Sequence, residues 1–96
     1  MRFQWDERKN ESNIAKHNLD FVEAPRLFSG PMRIIPDNRN DYGEDRFIGL
    51  GLLDSRVVVV AFAEPEENVT RVISMRRALA HEQKQYEQYL KQLFGG

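Results

Sequence analysis

No cysteine occurs in the 96 residues. That excludes a disulfide framework and a thiolate zinc site, and suits a reducing cytoplasm. Long apolar runs are missing as well. The stretch Val57 to Ala63 is far short of the roughly 20 residues needed to cross a bilayer. The opening Met1-Arg2-Phe3-Gln4-Trp5-Asp6 lacks the apolar core of a signal peptide, so no membrane association is expected. Nor is there an excess of charge of one sign. Lys plus Arg number 14 against 15 Asp plus Glu, a formal net charge of −1. Nucleic-acid binders are often strongly basic, so any contact with RNA must rest on local clustering of positive charge. The chain also has no Gly-rich phosphate loop, no Ser-His-Asp arrangement and no zinc-finger spacing. Its two histidines, His17 and His81, find no third ligand at metal-binding spacing.

What is present suits one small globular domain over residues 1–96, with 41% hydrophobic and 30% charged residues. So short a chain buries a limited core, and its stability is expected to be modest or shared with a partner. The order of patterns is β-α-α-β-β-β-β-α. Phe3 and Trp5 alternate with polar residues as in a short strand. Asp6 is positioned as the N-cap of a helix ending near His17, with Asn18 as a left-handed stop. Asp20-Phe21-Val22-Glu23 fits a capping box opening a second helix that carries Phe21, Ala24, Leu27 and Phe28. Pro25 inside that helix should shorten or bend it, and Ser29-Gly30-Pro31 ends it. Strands are expected over Met32–Ile35, Arg46–Leu53, Arg56–Ala63 and Val69–Met75, with turns at Asp54-Ser55 and Glu64–Asn68. Four consecutive valines, 57–60, are apolar toward both faces and predict a central, doubly covered strand. Leu79 to Phe94 places Leu79, Tyr86, Leu90 and Leu93 on one helical stripe, and Gly95-Gly96 closes the chain as a frayed tail. The fold class is α+β: two N-terminal helices, a four- to five-stranded, mostly antiparallel sheet and a C-terminal helix.

Positive charge does cluster locally. Arg71, Arg76 and Arg77 fall within seven residues, followed by His81 and Lys84. Strict strand alternation sets Arg71 with Ile73 and Met75, and Arg76 with Val72 and Ser74, so the arginines would not form one row. Guanidinium forks suit phosphate, and strand-end arginines paired with nearby glutamates are equally consistent with this spacing. Glu82 lies along the apolar stripe of the last helix and needs a cationic partner. A structural network joining Arg46, Arg76 and Glu82 is one reading of these residues. Asp37, Asp41, Glu44 and Asp45 in one polar connection allow a second, a divalent-metal site of the two-metal nuclease kind. Gly49 and Gly51, on one strand face, leave room for a ligand or for close helix packing.

The same residues carry a family resemblance. Phe3-Gln4-Trp5-Asp6 followed by Lys9, Asn13 and Lys16-His17 resembles the opening of the BrnT family. Phe21-Val22-Glu23-Ala24 with Leu27-Phe28, Gly43-Glu44-Asp45-Arg46, Arg71 through Ala78, and Glu82 with Tyr86 are similar to its later motifs in the same order. Pro25 stands where the family commonly has a helix former, Met75 where it has a small residue, and Pro65 where it has a basic one. The resemblance implies a RelE-like fold and a type II toxin that cleaves RNA to inhibit translation, with no cofactor. It implies a BrnA-like, DNA-binding antitoxin as partner, DNA contact only through that antitoxin, and a possible dimer in the complex. It further implies a metal-independent endoribonuclease in which a ribose 2′-hydroxyl attacks the neighbouring phosphate. Arg46, Arg71 and Arg76 would meet the phosphate charge, His17 or Lys9 would move protons, and Glu44 would orient the substrate or act as base. Arg77, His81 and Lys84 would contact RNA. A catalytically inactive binding partner or co-repressor remains the non-enzymatic alternative.

Overall fold

The computed structural model describes residues 1–95, leaving Gly96 of the expected frayed tail outside the described residues. Strand β1 (Arg2–Gln4) leads into helix α1 (Glu7–His17). The Asp6 carboxylate accepts hydrogen bonds from the Arg8 and Lys9 amides, and Asn18 ends the helix in the left-handed conformation at φ 55°. Both ends therefore stop where the side-chain chemistry dictates. The second helical segment departs from a single bent helix. A 3-10 turn over Phe21–Glu23 is capped by Asp20, and a short α2 (Ala24–Phe28) follows. Pro25 sits in the first turn of α2, where no hydrogen bond is lost.

Strands β2 (Arg33–Pro36), β3 (Arg46–Leu53), β4 (Arg56–Glu66) and β5 (Val69–Arg77) precede helix α3 (Ala80–Phe94). The sheet order is β1-β5-β4-β3-β2, with β1 parallel to β5 and every other pairing antiparallel. The valine-rich β4 is central, as its two-sided apolar pattern requires. Asp54 and Ser55 both take positive φ, 50° and 69°, turning β3 directly into β4. The expected turn over Glu64–Asn68 is shorter in fact. Strand β4 continues to Glu66, and the register shift between Ala63 and Glu66 absorbs Pro65, which has no amide to give the ladder.

Each face of the sheet has its own core. On one, Phe21, Ala24 and Leu27 pack over Val58, Val60, Phe62, Val72 and Met75. Met75 is completely buried there, so a long side chain fills space that a small one would leave empty. Gly49 and Gly51 belong to this face, and close packing explains them. A Cβ on Gly51 would stand 2.9 Å from the Leu27 Cδ1, and one on Gly49 would stand 2.7 Å from the Met32 Cε. On the other face, α3 lays Tyr86 over Leu50 and Val59, flanked by Tyr89 and Leu90. The Tyr86 hydroxyl donates to the Pro31 carbonyl at 2.8 Å, tying α3 to the start of β2. Leu79 and Leu93, expected on the buried stripe, are 56% and 51% exposed because α3 meets the sheet only through its middle. Helix α3 thus covers the Val57 end of this face and leaves the Arg46 end open.

Candidate functional site

A single extra residue in β5 builds the site. Phe62 pairs with Val72 and Ala61 with Ser74, so Ile73 bulges out of the register. Beyond it the alternation is inverted: Val72 and Met75, three apart, both enter the same core. The expected separation of the arginines is therefore wrong. Arg71, Ser74 and Arg76 lie on one face, opposite Ala63, Ala61 and Val59. On the far side of β4, Arg46 pairs with the same Ala63, so Arg46 and Arg71 flank one small buried residue. Adjacent strands lie about 4.8 Å apart and residues rise about 3.3 Å, which puts the Arg46 and Arg71 backbones roughly 10 Å apart and those of Arg71 and Arg76 roughly 13 Å apart.

Each guanidinium is held by a carboxylate. Glu44 receives Arg71 through both of its oxygens and Arg46 Nε at 3.3 Å. The Arg71 guanidinium, helped by Arg46, holds the Glu44 carboxyl below its ordinary range against the opposing effect of burial. Arg46 also lies over the Tyr42 ring, 3.9 Å from its centre. The Tyr42 hydroxyl donates to Asp37 at 3.4 Å, and Asp37 in turn grips Arg39 through two bonds of 2.8 and 2.9 Å. Arg76 makes a two-pronged pair with Glu82, both bonds 2.9 Å, while Glu82 also accepts the Leu79 amide at 2.8 Å. Glu82 is held down to about 2, chiefly by the Arg76 guanidinium. The expected network of Arg46, Arg76 and Glu82 is thus two networks, one centred on Glu44 and one on Glu82.

The acidic connection serves the arginines. Asp37 holds Arg39, Glu44 holds Arg71 and Arg46, and Asp41 accepts the Gly43 amide at 3.0 Å. Among the described residues no three His, Asp or Glu side chains gather as a metal site. Neither Arg39 nor Tyr42 stood out in the sequence. The available signal was an aromatic and an arginine in a polar connection otherwise rich in carboxylates.

The remaining candidates lie around this face. Arg77 pairs with Val58 and so turns to the opposite side, beside Arg26 and Asp54. Helix α1 runs along the part of β5 that β1 does not reach, and the Asn13 Oδ1 accepts the Met75 amide at 3.1 Å. His17, at the end of α1, shares an open depression of about 730 Å³ with Lys16, Arg76 and Arg77. Lys9 is exposed two turns earlier on that helix, and His81 and Lys84 are exposed on the first turns of α3. Among the described residues no helix is long and apolar enough to cross a membrane.

A model of the family described as "Ribonuclease toxin, BrnT, of type II toxin-antitoxin system" matches residues 5–82. The crystal structure of the Brucella abortus ribonuclease toxin BrnT is similar to this chain, with 30% identity and a TM-score of 0.66. The match covers 82% of this chain and 97% of that one. No curated protein matches the sequence.

Proposed function

Since the chain belongs to the BrnT family of ribonuclease toxins of type II toxin–antitoxin systems, for which a cognate antitoxin is the implied partner, we propose that its open arginine face binds and cuts RNA without a metal ion. The observation that carries this reading is the placement of Arg46, Arg71 and Arg76 on one sheet face, open from its Arg46 end to the edge of α3, each fork fixed by a carboxylate. Fixed donors stabilise charge that develops on a phosphate because they need no reorganisation during reaction.

In the reaction the ribose 2′-oxygen attacks the adjacent phosphorus and the bond to the 5′-oxygen breaks. The products are a 2′,3′-cyclic phosphate and a free 5′-hydroxyl. The 2′ proton must be taken up and the leaving oxygen protonated. Arg71 and Arg46 meet the equatorial phosphate charge, and Arg76 holds the RNA backbone further along β5. Glu44, kept ionised between two guanidinium groups, positions them and is a weak base. The proton carriers expected from the sequence lie on α1: His17 opens onto Arg76 at the β5 edge and so serves a phosphate seated at Arg76 rather than the one between Arg46 and Arg71, with Lys9 the second candidate. His81 and Lys84 supply peripheral RNA contacts, and Arg77, turned to the other face, joins them only at the β5 edge it shares with His17 and Arg76. The antitoxin, a BrnA-like DNA-binding protein, neutralises the toxin by covering this face, and DNA is contacted only through it.

The test is cleavage of single-stranded RNA by the purified protein in EDTA. Cleavage leaving cyclic phosphate ends, with a 2′-O-methyl substrate resistant, is expected. Activity that appears only on adding magnesium, or products with 5′-phosphate ends, would overturn the metal-free mechanism.

A further inference from the structure

A groove of about 280 Å³ lies beside the Arg46–Arg71 pair, floored by Ala61 and Ser74 and walled by Arg39 and Arg76. Both arginines are fixed from behind. Asp37, its side chain only 4% exposed, occupies the Nε and one Nη of Arg39, whose own side chain is 72% exposed. Of the five N–H groups of a guanidinium, three on Arg39 are left free of Asp37. Glu82 holds Arg76 by two bonds, and the Arg77 carbonyl takes a third at 3.2 Å. Both carboxylates of the groove, Asp37 and Glu82, are committed to these pairs. Arg39 and Arg76 line the same groove, where the Arg39 charge weighs slightly against that of Arg76. Two like charges beside one groove are relieved by an anion between them.

Resting on the ribonuclease reading above, we propose that Arg39, Ser74 and Arg76 form a second phosphate subsite, which holds the RNA phosphodiester next to the one held by Arg46 and Arg71. Arg71 and Arg76 stand about 13 Å apart along β5, too far to share one phosphate without leaving their carboxylates. The Ser74 hydroxyl, placed between them by the Ile73 bulge, donates from the floor. Arg39 touches no reacting atom, so it acts on substrate binding.

The experiment measures binding of a short single-stranded 2′-O-methyl oligoribonucleotide against salt concentration, together with cleavage kinetics on the matching RNA. The variant is Arg39→Gln combined with Asp37→Asn, which leaves no buried carboxylate unpaired. Arg8→Ala, an exposed cation on α1, is the control. Loss of the Arg39 contact should reduce the slope of log affinity against log salt by up to about 0.7, the single-strand value per phosphate. KM should rise with kcat near wild type, because uniform binding is lost rather than stabilisation of the transition state. The Arg8→Ala slope should stay at the wild-type value. A double variant that folds, by its circular dichroism, and keeps the wild-type slope overturns the subsite while leaving the ribonuclease reading intact. A wild-type protein that neither binds nor cuts RNA overturns both.

Discussion

Replacing Glu82 by Gln probes how the arginine face is held in shape. Glu82 makes two bonds of 2.9 Å to Arg76 and accepts the Leu79 amide, so it serves both as anion and as the first-turn cap of α3. Glutamine keeps the shape and one acceptor but loses the charge. A hydrogen bond to a charged group contributes about 1.5–3 kcal/mol. The Glu82 side chain is 15% exposed but that of Arg76 is 39% exposed, so solvent screening lowers the expected loss to about 1–2 kcal/mol. For a domain of this size each kcal/mol shifts Tm by about 4–8 °C. The effect carries a pH signature. Glu82 is lowered from an ordinary 4.5 to about 2 in the folded protein. The unfolded chain therefore binds the proton more readily, and the stabilisation is fully present above 4.5 and disappears as pH falls toward 2. Urea unfolding of both proteins, from about pH 6 to about pH 3, should show the gap closing as the solution is acidified. A gap of the same size at both ends, or none at neutral pH, would refute the reasoning.

Three further outcomes follow from named contacts. Asn13→Ala removes the acceptor of the Met75 amide and the donor to the Leu19 carbonyl; leaving such buried groups unpaired should cost about 1–3 kcal/mol in denaturant unfolding. Gly51→Ala sets a methyl 2.9 Å from Leu27 and 3.2 Å from Met32, and overpacking of this kind should destabilise by about 1–3 kcal/mol in a thermal melt. Arg71→Ala should lower the RNA cleavage rate about 100- to 1,000-fold while the protein stays folded, because Glu44 keeps Arg46 as a partner; cleavage at the wild-type rate would remove Arg71 from the site.

Local rules carried α1, whose cap Asp6 and stop Asn18 are read within one turn of the chain they terminate. The Asp54-Ser55 turn and the burial of the valine strand were legible for the same reason. Pro25 and Pro65 were visible as breaks in pattern, but each is accommodated where a proline costs little, in a first helical turn and at a bulge. Their acceptance depends on which amides need partners, and that is set by neighbouring elements.

The sequence by itself determined the elements, the family and the identity of the arginines and carboxylates, since capping, periodicity and ordered motifs are short-range information. Only the tertiary structure decided how those charges meet. One bulged residue, Ile73, moves Arg76 onto the face of Arg71, and alternation read from sequence has no means of anticipating an inserted residue. The Arg76–Glu82 pair was one reading of the sequence, but the partners of Arg71 and Arg39 were settled by folding: Glu44, 27 residues away in the chain, reaches Arg71, while Asp37 takes Arg39. A salt bridge depends on distance in space, and every carboxylate in a near-neutral chain has many possible cations until the sheet register selects one.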